Sequence, residues 1–296
     1  MIYDEISANK RKSVFLIFVF ILFISLLGYI IGLYYGNPYA GIILTGVFGF
    51  FYAIIAYFAG KNIVLTLSSA KEATKKDHAF LLNTVEGLSL AAGIPKPKVY
   101  VIDDTAINAF ATGNSPKNAA ITVTTGALAK LNRTELEGVL GHEMSHIKNY
   151  DIRFMLLVIV LIGILTLLSD FFLRSMIFGG RRDDDRKGEG GAIILVIGIV
   201  LAILSPIIAQ FVQLAISRKR EYLADASGAL LTRYPQGLAN ALKKIRDDKD
   251  PFVDTANRAT ASLYISNPLR KSAKTIDSWF STHPPLEDRI NRLEKM

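Results

Sequence analysis

The chain has 296 residues, of which 51% are hydrophobic, 20% are charged and none is cysteine. The lack of cysteine excludes disulfide bonds, cysteine-ligated zinc, iron–sulfur clusters and a thiol nucleophile, so a metal would be bound by carboxylates or by the histidines, which are His78, His142, His146 and His283. The formal net charge of +8 is typical of a membrane protein with basic cytoplasmic loops, and no basic motif with interleaved aromatic residues indicates nucleic-acid binding.

The first two apolar segments predict a transmembrane hairpin over residues 14–59. Residues 14–35 and 39–59 contain no charged side chain, and each reaches the length of about 20 residues that a membrane-spanning helix needs. A short Gly-Asn-Pro sequence joins them and favours a tight turn. The basic run at residues 10–12 precedes the first span, so the positive-inside rule predicts a cytoplasmic N-terminus over residues 1–13.

A second transmembrane hairpin is predicted over residues 154–215. Its apolar segments are residues 154–178, which an acidic and a basic side chain interrupt, and residues 192–215. The loop at 179–191 carries charges of both signs, so it predicts a flexible, solvated connection and gives no orientation.

The remaining segments, residues 60–153 and 216–296, are predicted to form the two parts of one cytoplasmic domain. Two hairpins would leave both segments on the same face of the membrane, and both are rich in basic residues. Residues 107–113 and 119–125 flank a run of turn-forming residues and predict a β-hairpin. The sequence Thr134-Glu-Leu-Glu137 is a capping box, which predicts a helix with Thr134 as its N-cap.

The predicted helix carries the sequence His142-Glu143-Met-Ser-His146. Histidines four positions apart lie one turn apart on the same helix face, so both imidazoles can reach one metal ion. The glutamate beside the first histidine is placed to contact a water on that ion. The alternative is a helix whose histidines only form hydrogen bonds in the core, although burying two imidazoles and a carboxylate without a cation is costly.

A catalytic zinc site needs a third protein ligand. It does not follow His146 in the metzincin pattern, because Ile152 occupies the position of the third histidine. The best downstream candidate is Glu221, and Asp225, one turn later on the same face, is placed to orient a metal-bound histidine through its other ring nitrogen. Glu221 follows three basic residues, so a surface ion pair is the alternative, with His78 or Asp225 then replacing it as the ligand.

Several motifs together resemble the HtpX-type membrane zinc metalloproteases, which belong to the same broader family as the zinc-dependent CAAX prenyl proteases. They are a membrane hairpin, an HExxH motif, a second hairpin, an ExxxD motif and a late His-Pro-Pro sequence, and they extend from residues 10–35 to residues 282–289. With the predicted elements, the resemblance implies a mainly α-helical membrane protein with four transmembrane helices. A cytoplasmic α+β zincin-like catalytic domain would contain a small β-hairpin or sheet.

The resemblance also implies an activity. It indicates an endopeptidase in the cell membrane of a prokaryote, with its active site facing the cytoplasm, that acts in quality control of membrane proteins under stress. Its partners would be polypeptide substrates and the lipid bilayer, without nucleic acid. It implies one Zn²⁺ per chain, bound by His142, His146 and Glu221, with Glu143 as a catalytic residue.

The segment Asn108-Ala109-Phe110 matches the edge strand that binds substrate in this family. An extended peptide could pair with such a strand through backbone hydrogen bonds, which depend little on the side chains of the peptide. The alternative is a plain hairpin strand without a binding role.

Hydrolysis is expected to use a water that zinc and Glu143 activate together. Zinc with three protein ligands lowers the pKa of its water to about 7, and Glu143 would accept a proton and pass one to the leaving amine. His283, which two prolines follow, is the candidate for a second donor to the oxyanion, and Arg289 for a residue that holds its loop. A surface turn residue is the alternative for His283.

Three other functions stay open from the sequence. A membrane scaffold or chaperone with a structural metal site would bind zinc without cleaving peptides. A transporter is disfavoured because the first hairpin lacks the ionisable residues that transport paths use. A prenyl-protein protease is the alternative enzyme, although its familiar members have a larger membrane chamber with more spans.

Overall fold

The computed structural model of the protein describes residues 2–161, 163–164, 218–256, 260–269 and 284–296. Within these residues the chain forms two compact units. The first unit contains residues 2–10, residues 59–156 and the described residues from 218 onward. The second unit contains residues 11–58 and the described residues between 157 and 164.

The second unit contains most of two long apolar helices, α1 (Ile2–Tyr34) and α2 (Pro38–Leu67), whose ends at residues 2–10 and 59–67 belong to the first unit. Both are long and apolar enough to cross a membrane, and many of their large apolar side chains, such as Phe18 and Phe51, are exposed. In the turn between them, the Ala40 N–H donates a hydrogen bond to the Asn37 side chain (3.1 Å). The predicted pair of apolar helices and the tight turn that joins them are confirmed.

Most of the second predicted hairpin lies outside the described residues. Residues 154–161 are described and helical, whereas the loop at 179–191 and the segment 192–215 fall outside. Within the second unit, the Tyr52 hydroxyl donates a hydrogen bond to the Val160 carbonyl (3.1 Å), so α2 contacts the described start of this hairpin.

The first unit contains a four-stranded sheet with the strand order β1-β2-β4-β3. Its strands are β1 (Lys71–Glu72), β2 (Lys98–Ile102), β3 (Ala109–Ser115) and β4 (Asn118–Thr124). Strands β2 and β4 are parallel, with Val101 opposite Val123, whereas β3 and β4 are antiparallel. The predicted β-hairpin is confirmed, and β3 lies at the edge of the sheet.

Helices pack against this sheet around the most buried helix of the first unit, α5 (Arg133–Lys148). The others are α3 (Lys75–Ala92), α4 (Thr125–Lys130), α6 (Arg218–Thr232), α7 (Pro235–Asp247) and α8 (Leu286–Leu293). The hydrophobic core joins the sheet residue Ile121 to Leu140 and Met144 of α5 and to Leu242 of α7. Burial of apolar side chains on three sides of α5 therefore fixes the position of the His-Glu-Met-Ser-His sequence that it carries.

The N-cap of α5 is Asn132, so the predicted capping box at Thr134 is wrong by two residues. The Asn132 side chain accepts a hydrogen bond from the Glu135 N–H (2.9 Å), and the Glu135 carboxylate accepts one from the Asn132 N–H (2.7 Å). Two overlapping capping-box sequences are present, and the first is used because Asn132 is the last extended residue (φ −77°, ψ 176°) and Thr134 already lies inside the helix. Glu137 instead pairs with Arg133 on the exposed helix surface.

Helices α5 and α6 approach closely through Gly141 and Gly228. A Cβ atom on Gly228 would lie 2.8 Å from the backbone nitrogen of His142 and 3.0 Å from the carbonyl carbon of Gly141. Only glycine therefore allows the two helices to pack this closely. The contact brings the first turns of α6 alongside the histidines of α5. Residues far apart in the sequence therefore meet at this helix crossing.

Candidate metal centre

The two histidines of α5 converge as their spacing predicts. The Nε2 atoms of His142 and His146 lie 3.1 Å apart, and the rings meet edge to face. Both side chains are buried, with relative exposures of 1% and 7%. Two buried imidazoles whose Nε2 atoms converge on one point have the arrangement of metal ligands.

Glu221 completes a group of three. Its carboxylate oxygens lie 3.8 Å from His142 Nε2 and 3.5 Å from His146 Nε2. One potential ligand atom from each of the three residues lies within 4.8 Å of the others. The surface ion pair considered for Glu221 is not what the structure has, because this side chain is buried.

Each histidine has a carboxylate at its other ring nitrogen. Asp225 Oδ1 lies 2.9 Å from His142 Nδ1, as the ExxxD spacing predicts. Asp151 Oδ2 lies 3.0 Å from His146 Nδ1, and the sequence analysis missed this residue. A carboxylate at Nδ1 fixes the ring and the tautomer that leaves the Nε2 lone pair for a metal. The only signal in the sequence was an acidic residue five positions after His146.

Arg289 on α8 supports the first of these carboxylates. Its guanidinium donates hydrogen bonds to Asp225 Oδ2 from Nε (2.9 Å) and to Asp225 Oδ1 from Nη2 (2.7 Å). A further bond runs from Nη1 to the Ile265 carbonyl (2.9 Å). Burial opposes ionisation of Asp225, but the charge of Arg289 and the hydrogen bond with His142 keep the pKa of Asp225 below its ordinary value.

Glu143 is buried beside the three converging residues. Its Oε1 has no hydrogen-bond partner in the described part of the chain, while the backbone N–H of Ala111 in β3 hydrogen bonds to the carboxylate. Burial is the main cause that raises the pKa of Glu143 to about 7, and the charge of Glu221 adds to it. A buried carboxylate oxygen without a partner is costly unless a water or an ion completes it.

The two histidines differ in their affinity for a proton. Burial lowers the pKa of His142 below its ordinary value. Burial acts the same way on His146, but the hydrogen bond to Asp151 and the charge of Glu221 prevail and raise the pKa of His146 to about 9. In the metal-free protein His146 therefore holds a proton at neutral pH, between two carboxylates that would otherwise repel each other.

The residues present fit a zinc ion. Two imidazole nitrogens and one carboxylate oxygen are a known donor set for catalytic zinc. The incompletely satisfied Glu143 oxygen also points to a missing water or ion at this position. The alternative of two core histidines that only form hydrogen bonds does not account for a third acidic group at the same point.

The candidate substrate strand has its side chains directed into the protein. The Asn108 side-chain amide donates a hydrogen bond to the Ser266 carbonyl (3.2 Å), and the Phe110 ring is fully buried edge to face against Tyr264. The Ala109 carbonyl accepts a hydrogen bond from the Ile265 N–H (2.9 Å). The Ala109 N–H donates to Asn108 Oδ1 (3.1 Å), so both backbone groups of Ala109 are occupied and a peptide would have to pair with β3 beyond this residue.

Two predicted positions lie elsewhere. His283 falls outside the described residues, which resume at Pro284. His78, the alternative ligand, lies in the first turn of α3 and lines a separate cavity of about 460 Å³ with Phe80 and Leu128. It is not part of the metal-ligating group that the described residues form.

A helix with an HExxH motif, a glutamate from a later helix and an adjacent sheet edge define a metal-dependent peptidase. Residues 75–296 match Peptidase family M48, and the chain belongs to this family. It is a metallopeptidase, a hydrolase of peptide bonds, and its two apolar helices make it a membrane protein.

Relatives and a solved structure agree with this assignment. The chain is 46% identical over 294 residues to a protease HtpX homolog of Dictyoglomus turgidum, covering 99% of this chain and 94% of that protein. It is 45% identical over 306 residues to a protease HtpX homolog of Listeria monocytogenes, with both chains fully covered. The crystal structure of S. mikatae Ste24p has the same fold, with a TM-score of 0.53, 20% identity, and coverage of 99% of this chain and 67% of that one.

Proposed function

We propose that the protein is a zinc endopeptidase of a prokaryotic cell membrane that cleaves misfolded or damaged membrane proteins on the cytoplasmic side, as part of a stress response. The main support is the position of Glu143. Its carboxylate lies between the three converging side chains and the edge strand, and one of its oxygens has no partner in the described residues. A carboxylate there can contact both an attacking water and a bound peptide.

One zinc ion per chain would be held by His142, His146 and Glu221. Bound zinc with three protein ligands supplies Lewis acidity and lowers the pKa of a water to about 7. The chain prepares the ligands, because Asp225 and Asp151 accept the Nδ1 protons of the histidines and direct the Nε2 atoms at the metal, and His146 gives up its second proton when the metal binds. Arg289 then fixes Asp225 through two hydrogen bonds.

Glu143 would act as the general base and then as the general acid. Burial raises the pKa of Glu143 above its ordinary value, which brings it closer to the working pH and favours both acceptance and return of a proton. Oε1 of Glu143, which has no hydrogen-bond partner in the described residues, is available for the proton in transit. Transfer of that proton to the amine nitrogen completes release of the new N-terminus.

Substrate would bind as an added strand along Asn108-Ala109-Phe110 and the rest of β3. The edge position of β3 supports pairing beyond Ala109, whose own backbone groups are already bonded, since an edge strand offers unpaired backbone groups to an extended peptide. The buried Asn108 and Phe110 side chains hold the strand in place and do not select sequence. Such binding suits unfolded segments of many sequences.

His283 would stabilise the oxyanion that forms on the attacked carbonyl. It precedes Pro284 and Pro285, and α8 begins directly after them with Arg289 on its buried face. A donor aimed at the developing charge typically contributes about 3 kcal/mol to lowering the barrier. His283 is assigned this role from the sequence motif.

Four membrane helices and a cytoplasmic active site complete the proposal. Asn9, next to the basic run at residues 10–12, hydrogen bonds to Asp151 beyond the metal helix. This contact lies within the first unit and supports one side for the segment before the first span and the catalytic residues, and the basic run indicates the cytoplasm. The proposed spans are residues 14–59 and 154–215, each as a hairpin.

Purified full-length protein in detergent tests the enzyme assignment. Glu143→Gln is expected to retain as much zinc as wild type and to cleave casein about 100- to 10,000-fold more slowly. Glu221→Ala is expected to lose zinc and activity, whereas Glu86→Ala, an exposed carboxylate on α3, changes neither. Equal residual cleavage in wild type and Glu143→Gln would support a scaffold with a structural metal instead, and zinc retained by Glu221→Ala would exclude this ligand.

Sidedness is measured with single cysteines, because the chain contains none. Gly36→Cys in the first turn and Glu86→Cys in the catalytic unit are compared in intact cells with a membrane-impermeant maleimide. Labelling of Gly36→Cys alone is expected. Labelling of Glu86→Cys in intact cells would place the catalytic unit outside.

A further inference from the structure

The chain reverses direction immediately after the metal-binding helix. Asn149 is the C-cap of α5, and Tyr150 follows in the left-handed region with φ 61°. This conformation is costly for a residue with a side chain, yet it turns Asp151 back so that Oδ2 lies 3.0 Å from His146 Nδ1. The reach of Asp151 to the histidine therefore depends on a turn that is unfavourable on its own.

The N-terminal end of α1 holds this turn. The Asn9 side-chain amide donates hydrogen bonds to the Asn149 carbonyl (2.9 Å) and to Asp151 Oδ1 (2.7 Å), and Asn9 is fully buried. The Lys10 ammonium lies 4.7 Å from the centre of the Tyr150 ring. All of these residues belong to the first unit.

We infer that Asn9 is a positioning residue for the metal centre, acting through Asp151 on the ring of His146. This role rests on the proposed function, because it requires His146 to be a metal ligand. Asn9 fixes one carboxylate oxygen of Asp151 so that the other faces Nδ1 and keeps Nε2 directed at the metal. The segment before the first membrane span is thus part of the catalytic unit.

Asn9 and Arg220 contact Asp151 Oδ1 at different distances. Arg220 Nη1 lies 3.5 Å from Asp151 Oδ1, against 2.7 Å for the Asn9 amide. Arg220 supplies charge at the limit of hydrogen-bond distance, while Asn9 supplies a directed N–H at a favourable length. Removing the amide leaves Asp151 Oδ1 with the longer Arg220 contact, which holds the carboxylate less firmly in the orientation that faces His146.

Zinc affinity of the full-length protein in detergent, measured by competition with a chromophoric chelator, tests this role. Groups that orient a metal-bound histidine typically contribute about 10- to 100-fold to metal affinity. Asp151→Asn is expected to weaken zinc binding within that range, and Asn9→Ala about 5- to 20-fold. Ser7→Ala, at an exposed position in the same part of α1, is the matched control and is expected to leave the affinity unchanged.

A double-mutant cycle separates positioning from a general structural role. Because Asn9 acts through Asp151, adding Asn9→Ala to Asp151→Asn is expected to weaken zinc binding by less than about twofold more. The Co²⁺-substituted protein gives a second readout, since the visible absorption of Co²⁺ depends on ligand geometry. Asn9→Ala is expected to change this spectrum, whereas Ser7→Ala is not.

The inference would be overturned if the zinc affinity of Asn9→Ala lay within twofold of the wild-type value. It would also be overturned if the effects of Asn9→Ala and Asp151→Asn on zinc affinity were fully independent. If Asn9→Ala does not fold, the isosteric Asn9→Asp replaces it. The new carboxylate faces Asp151 and offers no N–H donor, so this variant is expected to weaken zinc binding at least as much as Asn9→Ala. A wild-type protein that binds no zinc would instead refute the proposed function. Unchanged affinity in Asn9 variants of a zinc-binding, active protein would refute only the positioning role.

Discussion

Arg289 and Asp225 form a fully buried pair, joined by two hydrogen bonds of 2.9 and 2.7 Å. The planar guanidinium matches both carboxylate oxygens, a geometry that a lysine cannot reproduce. Asp225 in turn lies 2.9 Å from the Nδ1 of His142. The last helix of the chain is therefore connected to the metal centre through this carboxylate, and Arg289 Nη1 also lies 3.7 Å from Glu221 Oε2.

Arg289→Met is expected to destabilise the protein by about 3–5 kcal/mol, because removing one partner leaves a buried carboxylate without its counter-charge. Chemical denaturation of the metal-free protein in detergent measures this loss. Arg292→Met is the matched control. Arg292 is exposed on the same helix and contacts the Tyr222 ring, so its loss should cost about 0.5–1 kcal/mol. Equal losses for the two variants would contradict a structural role for the buried pair.

Zinc binding is expected to weaken as the pH falls. With a pKa of about 9 in the metal-free protein, His146 carries a proton that zinc must displace, and protonated imidazole cannot bind a metal. Release of one proton per ion makes the affinity about tenfold weaker for each pH unit below that pKa. Chelator competition between about pH 6 and pH 8 measures this slope, and calorimetry in buffers of different ionisation enthalpy counts the protons. An affinity that does not change over this range would show that His146 is neutral before binding.

Gly228→Ala is expected to destabilise the protein by about 1–3 kcal/mol and to weaken zinc binding, because the added methyl group would separate α5 from α6. Gly87→Ala is the matched control, since a Cβ on Gly87 in the middle of α3 meets no atom within 4 Å. There, the substitution should stabilise the protein by about 0.5–1 kcal/mol. Thermal unfolding and zinc affinity of both variants check these opposite signs. Normal zinc affinity in Gly228→Ala would show that the crossing tolerates a wider separation.

Asn132→Ala is expected to cost about 1 kcal/mol of stability, because it removes the side-chain acceptor at the start of α5. Thr134→Ala should cost less. The Thr134 hydroxyl only donates to the Asn132 side chain from inside the helix, and it accepts no backbone N–H as an N-cap would. Denaturation midpoints of the two variants give the comparison. A larger loss for Thr134→Ala would contradict the observed cap and favour the one that the sequence predicted.

Elements with a strong local pattern were predictable. The apolar helices follow from charge-free runs, and the β-hairpin follows from alternating residues around turn formers. The N-cap of α5 was predicted two residues too late because Asn132 and Thr134 both begin a capping box. The choice between them depends on where α4 ends, which the local sequence does not state.

The sequence by itself determined that His142 and His146 share one helix face, because a spacing of four residues fixes that geometry in any α-helix. It also predicted Glu221 and Asp225 as a pair with the same spacing on a second helix. Only the tertiary structure decided that the two helices touch, through the glycine crossing at Gly141 and Gly228. The same holds for Asp151, which reaches His146 through a left-handed turn, and for Asn9, which contacts Asp151 from a distant part of the chain. Local spacing follows from backbone geometry, whereas such contacts depend on packing across the whole unit.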